Sequence, residues 1–154
     1  MEPELTPPLA VRVRLIDWSV DRETALAIRT RVFVVEQGVP AELEEDGLDP
    51  DCTHFLAEIP DGAGWVPVGT ARMRRKGEVA KAERVAVLFA LRGHGIGALL
   101  MAALEQEVAA QGLPEVLLHA QVSVVPFYER LGYRGEGEVF GEAGIDHWAM
   151  RRRV

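Results

Sequence analysis

The residues best placed to do chemistry lie in Arg92-Gly93-His94-Gly95-Ile96-Gly97, where an apolar run ends and a helical pattern opens. Glycines at alternate positions let a backbone turn tightly and come close to a ligand. The first amides of the helix that follows lack intrahelical partners and carry the positive end of its dipole. Such a turn can hold a phosphate or pyrophosphate; it also reads as a plain glycine-rich strand-to-helix connection. Gly93-x-Gly95-x-x-Ala98 nominally fits the dinucleotide pattern G-x-G-x-x-G/A. Against that, several antiparallel-looking strands precede it, and the next strand ends in His119-Ala120-Gln121 rather than in an acid. No Gly-Lys-Ser/Thr follows, so it is not a P-loop.

Other chemistries are poorly provided for. No two of His54, His94, His119 and His147 have metal-ligand spacing, so no metal centre is expected. Cys52 is the one cysteine, which excludes an internal disulfide and a Cys-rich zinc site. With no basic neighbour to lower its pKa, it reads as a structural thiol. Ser19 and Ser123 are the two serines, and no G-x-S-x-G is present, which disfavours serine-hydrolase chemistry. The acidic stretch Glu42, Glu44, Glu45, Asp46, Asp49 and Asp51 reads either as a solvated loop or as an attractor for a cationic acceptor.

These residues must be carried by a chain of 154 residues, 48% hydrophobic, with a net charge of -7. That length suits one domain with a real core. The negative charge argues against a general nucleic-acid surface. The apolar runs fall short of the roughly 20 residues that cross a bilayer, and the first residues lack a secretory pattern. A cytoplasmic protein with no nucleic-acid or membrane partner is expected. Residues 1–10 read as a Pro-rich lead-in and 11–154 as a single domain. Alternation predicts a strand over 11–18. A helix N-capped by Asp21 runs through Ala25, Ile28, Val32 and Val35 to Gly38 and Pro40. Strands over 53–59 and 65–74 form a hairpin, and a further strand spans 78–88. A helix over 95–110 carries the stripe Ile96, Leu99, Leu100, Ala103, Leu104 and Val108. A strand over 116–120, a short helix capped by Ser123, and strands over 133–140 and 146–154 complete the chain. The order implies an α/β fold, a mixed sheet with helices packed on it.

Arg92-x-x-Gly95-x-Gly97, after a strand and opening a helix, resembles the acyl-CoA pyrophosphate motif of the GNAT superfamily of N-acetyltransferases. Pro126-Phe127-Tyr128-Glu129-Arg130-Leu131-Gly132-Tyr133 is similar to that family's F-Y-E-K-L-G-F segment. Arg31-Val32-Phe33-Val34-Val35-Glu36-Gln37, His54-Phe55-Leu56-Ala57 and the ending Glu142-Ala143-Gly144-Ile145-Asp146-His147 resemble its small ElaA-like branch. The resemblance covers about residues 11–150. Three positions depart from the pattern: Phe89 and Asp146 stand where Pro is usual, and Gln121 where Asn is.

The resemblance implies the GNAT fold, a mostly antiparallel mixed sheet splayed between its fourth and fifth strands, here 78–88 and 116–120. It implies acetyl-CoA as co-substrate, no metal, and direct transfer to a primary amine in a ternary complex. The acceptor would be a small molecule or a peptide, and a homodimer is an assembly the resemblance allows. The pantetheine arm would pair with the backbone of Val85, Ala86 and Val87. The amides of Arg92, Gly93, His94, Gly95, Ile96, Gly97 and Ala98 would hold the pyrophosphate, with Arg92 adding charge and Gln121 a hydrogen bond. An ammonium must lose a proton before it attacks; Glu83, Glu36 and His54 are the candidate bases. Tyr128 matches the general acid for the leaving thiolate and also a cofactor contact. The competing reading is a non-catalytic acyl-CoA-binding or sensing domain of the same fold.

Overall fold

A computed structural model describes residues 8–154, so most of the expected lead-in over 1–10 lies outside the described residues. The strands are β1 (Arg12–Ile16), β2 (Thr53–Asp61), β3 (Gly64–Lys76), β4 (Val79–Val87), β5 (Glu115–Gln121), β6 (Arg134–Glu142) and β7 (Ile145–Arg153). They form one sheet in the order β1-β2-β3-β4-β5-β7-β6. Every neighbouring pair is antiparallel except β4 and β5, which run parallel. Four α-helices accompany the sheet: α1 (Trp18–Arg29), α2 (Ala41–Glu44), α3 (Ile96–Ala110) and α4 (Val125–Arg130). No helix among the described residues is long and apolar enough to cross a membrane.

Alternation along the strands assigns side chains to two faces. Phe55, Ala57, Ala71, Met73, Ala80, Ala82, Val116 and Leu118 meet Ile96, Leu100, Leu104 and Val108 of α3 in the larger core. On the opposite face Leu56 and Ala86 meet Ala25 and Ile28 of α1 and Val32 just beyond it. The predicted α3 stripe needs one correction. Leu99 is 44% exposed, and Met101 is fully buried instead. The wall of α3 that meets β2, β3 and β4 is therefore turned by one position.

Three local expectations are corrected. Asp17, not Asp21, caps α1: its carboxylate accepts from the Ser19 amide at 3.0 Å and the Ser19 hydroxyl at 2.7 Å. Asp21 lies inside the first turn and pairs with Arg14. The helix does not run on as one α-helix to Gly38; from Thr30 to Glu36 it widens into a π-helix. Its β-branched valines at 32, 34 and 35 weaken the preference for α winding. Ser123 caps nothing. It sits within a 3-10 turn, Val122–Val124, and α4 begins without a side-chain cap because Pro126, in its first turn, has no amide to satisfy.

Candidate active site

The parallel ladder between β4 and β5 is short. It pairs Ala80 with Val116, Lys81 with Leu117 and Ala82 with Leu118, then stops. Beyond Ala82 the two strands part. The cause is visible in β4, where Ala71 of β3 faces both Arg84 and Val85, a bulge. Arg84 takes a φ of 56° there, a left-handed conformation uncommon outside glycine. The extra residue bends the strand and resets its alternation, so Val85 and Val87 join the α3 core while Ala86 joins the α1 cluster.

The open edge of β4 carries unpaired backbone. The Leu88 amide donates to the Val68 carbonyl, and Ala86 pairs with Thr70. Ladder alternation then turns the polar groups of Ala86 toward β3 and those of Val87 and Val85 toward the splay. The expectation that Val85, Ala86 and Val87 all present backbone to a ligand is corrected for Ala86, whose groups are engaged in the sheet.

The splay leads into the glycine turn. Gly93 and Gly95 adopt φ of 84° and 77°, and Gly95 forms the N-terminal boundary of α3. The first helical bond there runs from the Leu99 amide to the Gly95 carbonyl. The amides of Gly93, His94, Gly95, Ile96, Gly97 and Ala98 have no hydrogen-bond partner among the described residues. Gly97 has a separate reason to be glycine: a Cβ there would stand 3.2 Å from the Phe127 ring, so it sets the contact between α3 and α4. The Arg92 side chain is not aimed at these amides. Its Nε donates to the Val87 carbonyl at 3.0 Å, and its two terminal nitrogens grip the Glu36 carboxylate at 2.5 and 2.8 Å. Gln121 at the end of β5 donates to Gln37 at 2.8 Å. The end of the π-helix is thus tied to both lips of the splay.

Glu83 stands just before the bulge within a buried ionic network. Its Oε1 accepts from Arg74 at 2.7 Å and Arg72 at 3.2 Å, while Lys81 lies 3.3 Å from Oε2. Burial alone would raise its pKa; the Arg74 hydrogen bond and the charges of Arg72 and Lys81 outweigh that and hold it below the usual carboxylate range. The same network absorbs the acidic loop. Arg29, 1% exposed, bonds Glu44 at 2.5 Å and Asp49 at 2.7 Å. Arg72, fully buried, bonds Asp49 at 2.8 Å and Asp46 at 2.5 Å. Its Nε is the one buried side-chain polar atom without a partner among the described residues. Glu44 and Asp49 are therefore buried, and Asp46, though exposed, is engaged by Arg72.

Tyr128 lies on α4, on the α3-facing side of the sheet, with its ring against Phe127 and Tyr133. Burial pushes its pKa well above the ordinary tyrosine value, so the hydroxyl stays protonated. That hydroxyl makes no hydrogen bond within the described residues and is not sealed from solvent. His54, a candidate base, is a core histidine. It stacks on Trp18, bonds the Asp49 carbonyl at 2.8 Å, and has its pKa lowered by burial. Cys52 is half-buried, bonds the Leu48 carbonyl, and has its thiol pKa raised by burial. His94 sits exposed in the turn. His119 instead bonds Glu142 at the far lip of the splay, with His147 3.8 Å from the same carboxylate. Sequence reading gives this trio no role. The available signal is the two-residue period Leu117, His119, Gln121, which opposes the core residues Leu118 and Ala120.

Comparison with known proteins agrees with this geometry. A family model described as an acetyltransferase (GNAT) domain matches residues 20–154. The uncharacterized N-acetyltransferase YjcF of Bacillus subtilis is 42% identical over 129 residues, covering 83% of this chain and 89% of that protein. The crystal structure of an acyl-CoA N-acyltransferase from Pseudomonas aeruginosa superimposes with a TM-score of 0.78 at 31% identity, covering 94% of this chain and 99% of that one. Escherichia coli ElaA superimposes with a TM-score of 0.73 at 30% identity over 92% of this chain and 99% of its own.

Proposed function

The chain belongs to the GNAT acetyltransferase family, and on that premise we propose that it transfers an acetyl group from acetyl-CoA to a primary amine by direct attack in a ternary complex. The observation that carries this reading is the parting of β4 and β5 after Ala82, which opens onto the unpaired amides of Gly93 to Ala98. The residues present fit the co-substrate. The Val87 amide and the Val85 backbone offer an edge to an extended amide-containing arm, as an added strand would use, while the Val87 carbonyl accepts from Arg92. The turn amides and the α3 dipole suit a pyrophosphate. A thioester carbonyl lying along that edge would meet a backbone amide able to stabilise developing negative charge.

Tyr128 is the proposed proton donor to the leaving thiolate, since burial keeps its phenol protonated and its hydroxyl unengaged. Glu83, held ionised by three cations, sets the local charge of the α1-facing lip and is a poor proton acceptor. Glu36, gripped by Arg92, and Gln37, bonded to Gln121, close the splay from the α1 side. Small-molecule amines and peptide N-termini both fit an opening of this kind.

The test is a thermal-shift titration with acetyl-CoA, CoA and NADH in parallel, followed by amine-dependent CoA release. A saturable rise in Tm with the CoA species alone supports the groove by linkage. Tyr128→Phe is expected to lower kcat by roughly 10²-fold while leaving the acetyl-CoA shift intact. A shift with NADH, or none with CoA, overturns the reading. CoA binding without CoA release by any amine favours the acyl-CoA-sensing alternative.

A further inference from the structure

Resting on that reading, we propose that His119, oriented by Glu142, is the proton acceptor that readies the amine. The argument begins with register. The last paired residues of the splaying strands are Ala82 and Leu118, both facing the α3 core. One step further along, Glu83 and His119 therefore stand on opposite lips and both face the α1 side. Tyr128 belongs to the other side, with the α3 core. His119 and Tyr128 thus flank the splay from its two faces.

The side-chain geometry is that of an oriented base. His119 Nδ1 lies 3.2 Å from Glu142 Oε1. A carboxylate can only accept, so Nδ1 carries the hydrogen, and Nε2 is the nitrogen whose lone pair can take up a proton. His119 also packs against the edge of Phe140, with ring centroids 5.0 Å apart. His147, which pairs in register with Gln121, is 7% exposed, and its Nδ1 donates to the Ile145 carbonyl at 2.7 Å. Its Nε2 lies 3.8 Å from Glu142 Oε2, beyond hydrogen-bond distance. Glu142 is left to His119 as a dedicated partner, and its charge stabilises the imidazolium once the proton arrives. The titratable and charged groups on this face include Glu142, Glu136 and Arg134 of β6, His147 and Arg151 of β7, Glu83 and Lys81 of β4, and Glu36 at the end of the π-helix. Of these, Glu83 is already neutralised by Arg74, Arg72 and Lys81, and Glu36 by Arg92.

The step balances. An ammonium gives one proton to His119 Nε2, and the freed nitrogen pair attacks the thioester carbonyl carbon. As the C–N bond forms, the C–S bond breaks and the sulfur takes the Tyr128 hydroxyl proton. The second proton lost by nitrogen restores Tyr128, and His119 returns its proton to solvent. The products are an N-acetylated amine, CoA thiol and one released proton.

Two measurements test this. In the first, His119→Gln and Glu142→Gln are assayed for CoA release with n-propylamine, benzylamine, spermidine and a short peptide, and with hydroxylamine, which is largely unprotonated at neutral pH. His119→Gln is expected to lower kcat/KM for the cationic amine that the parent protein uses best by about 10²-fold, with little change for hydroxylamine. Glu142→Gln is expected to lower it less. An intact acetyl-CoA thermal shift in both variants shows that they are folded. Equal losses for both kinds of nucleophile, or no loss, overturn the assignment. Absence of CoA release by the parent with every amine, alongside intact CoA binding, overturns the acyl-transfer reading and this assignment with it. The second measurement needs no turnover. Long-range proton–nitrogen NMR of the histidine rings is expected to show the Nδ1–H tautomer at His119 and its loss in Glu142→Gln; an Nε2–H tautomer in the parent overturns the proposal.

Discussion

Asp49→Ala is expected to be among the most destabilising single changes in this chain. Asp49 Oδ1 accepts from both Arg29 and Arg72, at 2.7 and 2.8 Å. Both guanidiniums are buried, and neither can turn to water when that oxygen is removed. Arg72 already has one unpartnered nitrogen and would keep only Asp46 and Glu83 as acceptors. Hydrogen bonds to charged groups contribute about 1.5–3 kcal/mol each. Arg29 would keep Glu44, and Arg72 would keep Asp46 and Glu83, so the loss is that of the two bonds, about 4 kcal/mol together. For a domain of this size that corresponds to a fall in Tm of roughly 8–16 °C. Urea unfolding and thermal scans of Asp49→Ala and Asp49→Asn measure it. The asparagine keeps one oxygen acceptor and should lose about half as much. A loss below about 1 kcal/mol for Asp49→Ala would refute the view that this carboxylate holds two buried charges in place.

The remaining predictions concern the same scaffold. Asp46, Asp49, Glu58 and Glu83 all have pKa values held below their ordinary ones by arginine partners. Their contribution is therefore complete above the unfolded-state values near 4 and is lost as pH falls through the lower folded values, so the urea midpoint should drop steeply between roughly pH 5 and 3; a flat profile there would contradict it. Glu45 is exposed and makes no ion pair among the described residues, so Glu45→Gln should change stability by less than about 0.5 kcal/mol, whereas Glu44→Gln should lower Tm clearly. A Cβ on Gly135 would overlap the Trp148 ring. Gly135→Ala should therefore cost about 1–3 kcal/mol, read as a lower thermal midpoint.

Much of the architecture is legible from residue order. The strand alternation, the hairpin between β2 and β3 and the apolar stripe of α3 all depend on local periodicity, and each forms close to where the pattern puts it. The glycine turn is equally local, since Gly93 and Gly95 need their left-handed conformations whatever surrounds them. What stays hidden depends on pairing between distant segments. Glu42, Glu45, Asp46 and Asp51 are exposed as a solvated loop requires, but nothing near Glu44 and Asp49 in sequence reveals that they will be buried against Arg29 and Arg72. Arg92 reads as a phosphate ligand because Glu36, its actual partner, lies 56 residues away. His119 and Glu142 meet only after β5, β7 and β6 have paired in register. His54 reads as a candidate base until Trp18 closes over it.

The π-helix from Thr30 to Glu36 also works as a spacer of fixed length. Its end carries Glu36 and Gln37 to Arg92 on one lip and Gln121 on the other, so the span between the lips is measured in residues of that segment. Were the seven residues of this segment to rewind as an ordinary α-helix, everything beyond them would swing by about 100°. Both tethers would then miss, although no residue that forms them had changed. A related chain one residue shorter at this point would be expected to reach both lips with ordinary α winding, so residue number and winding together set the span of the mouth.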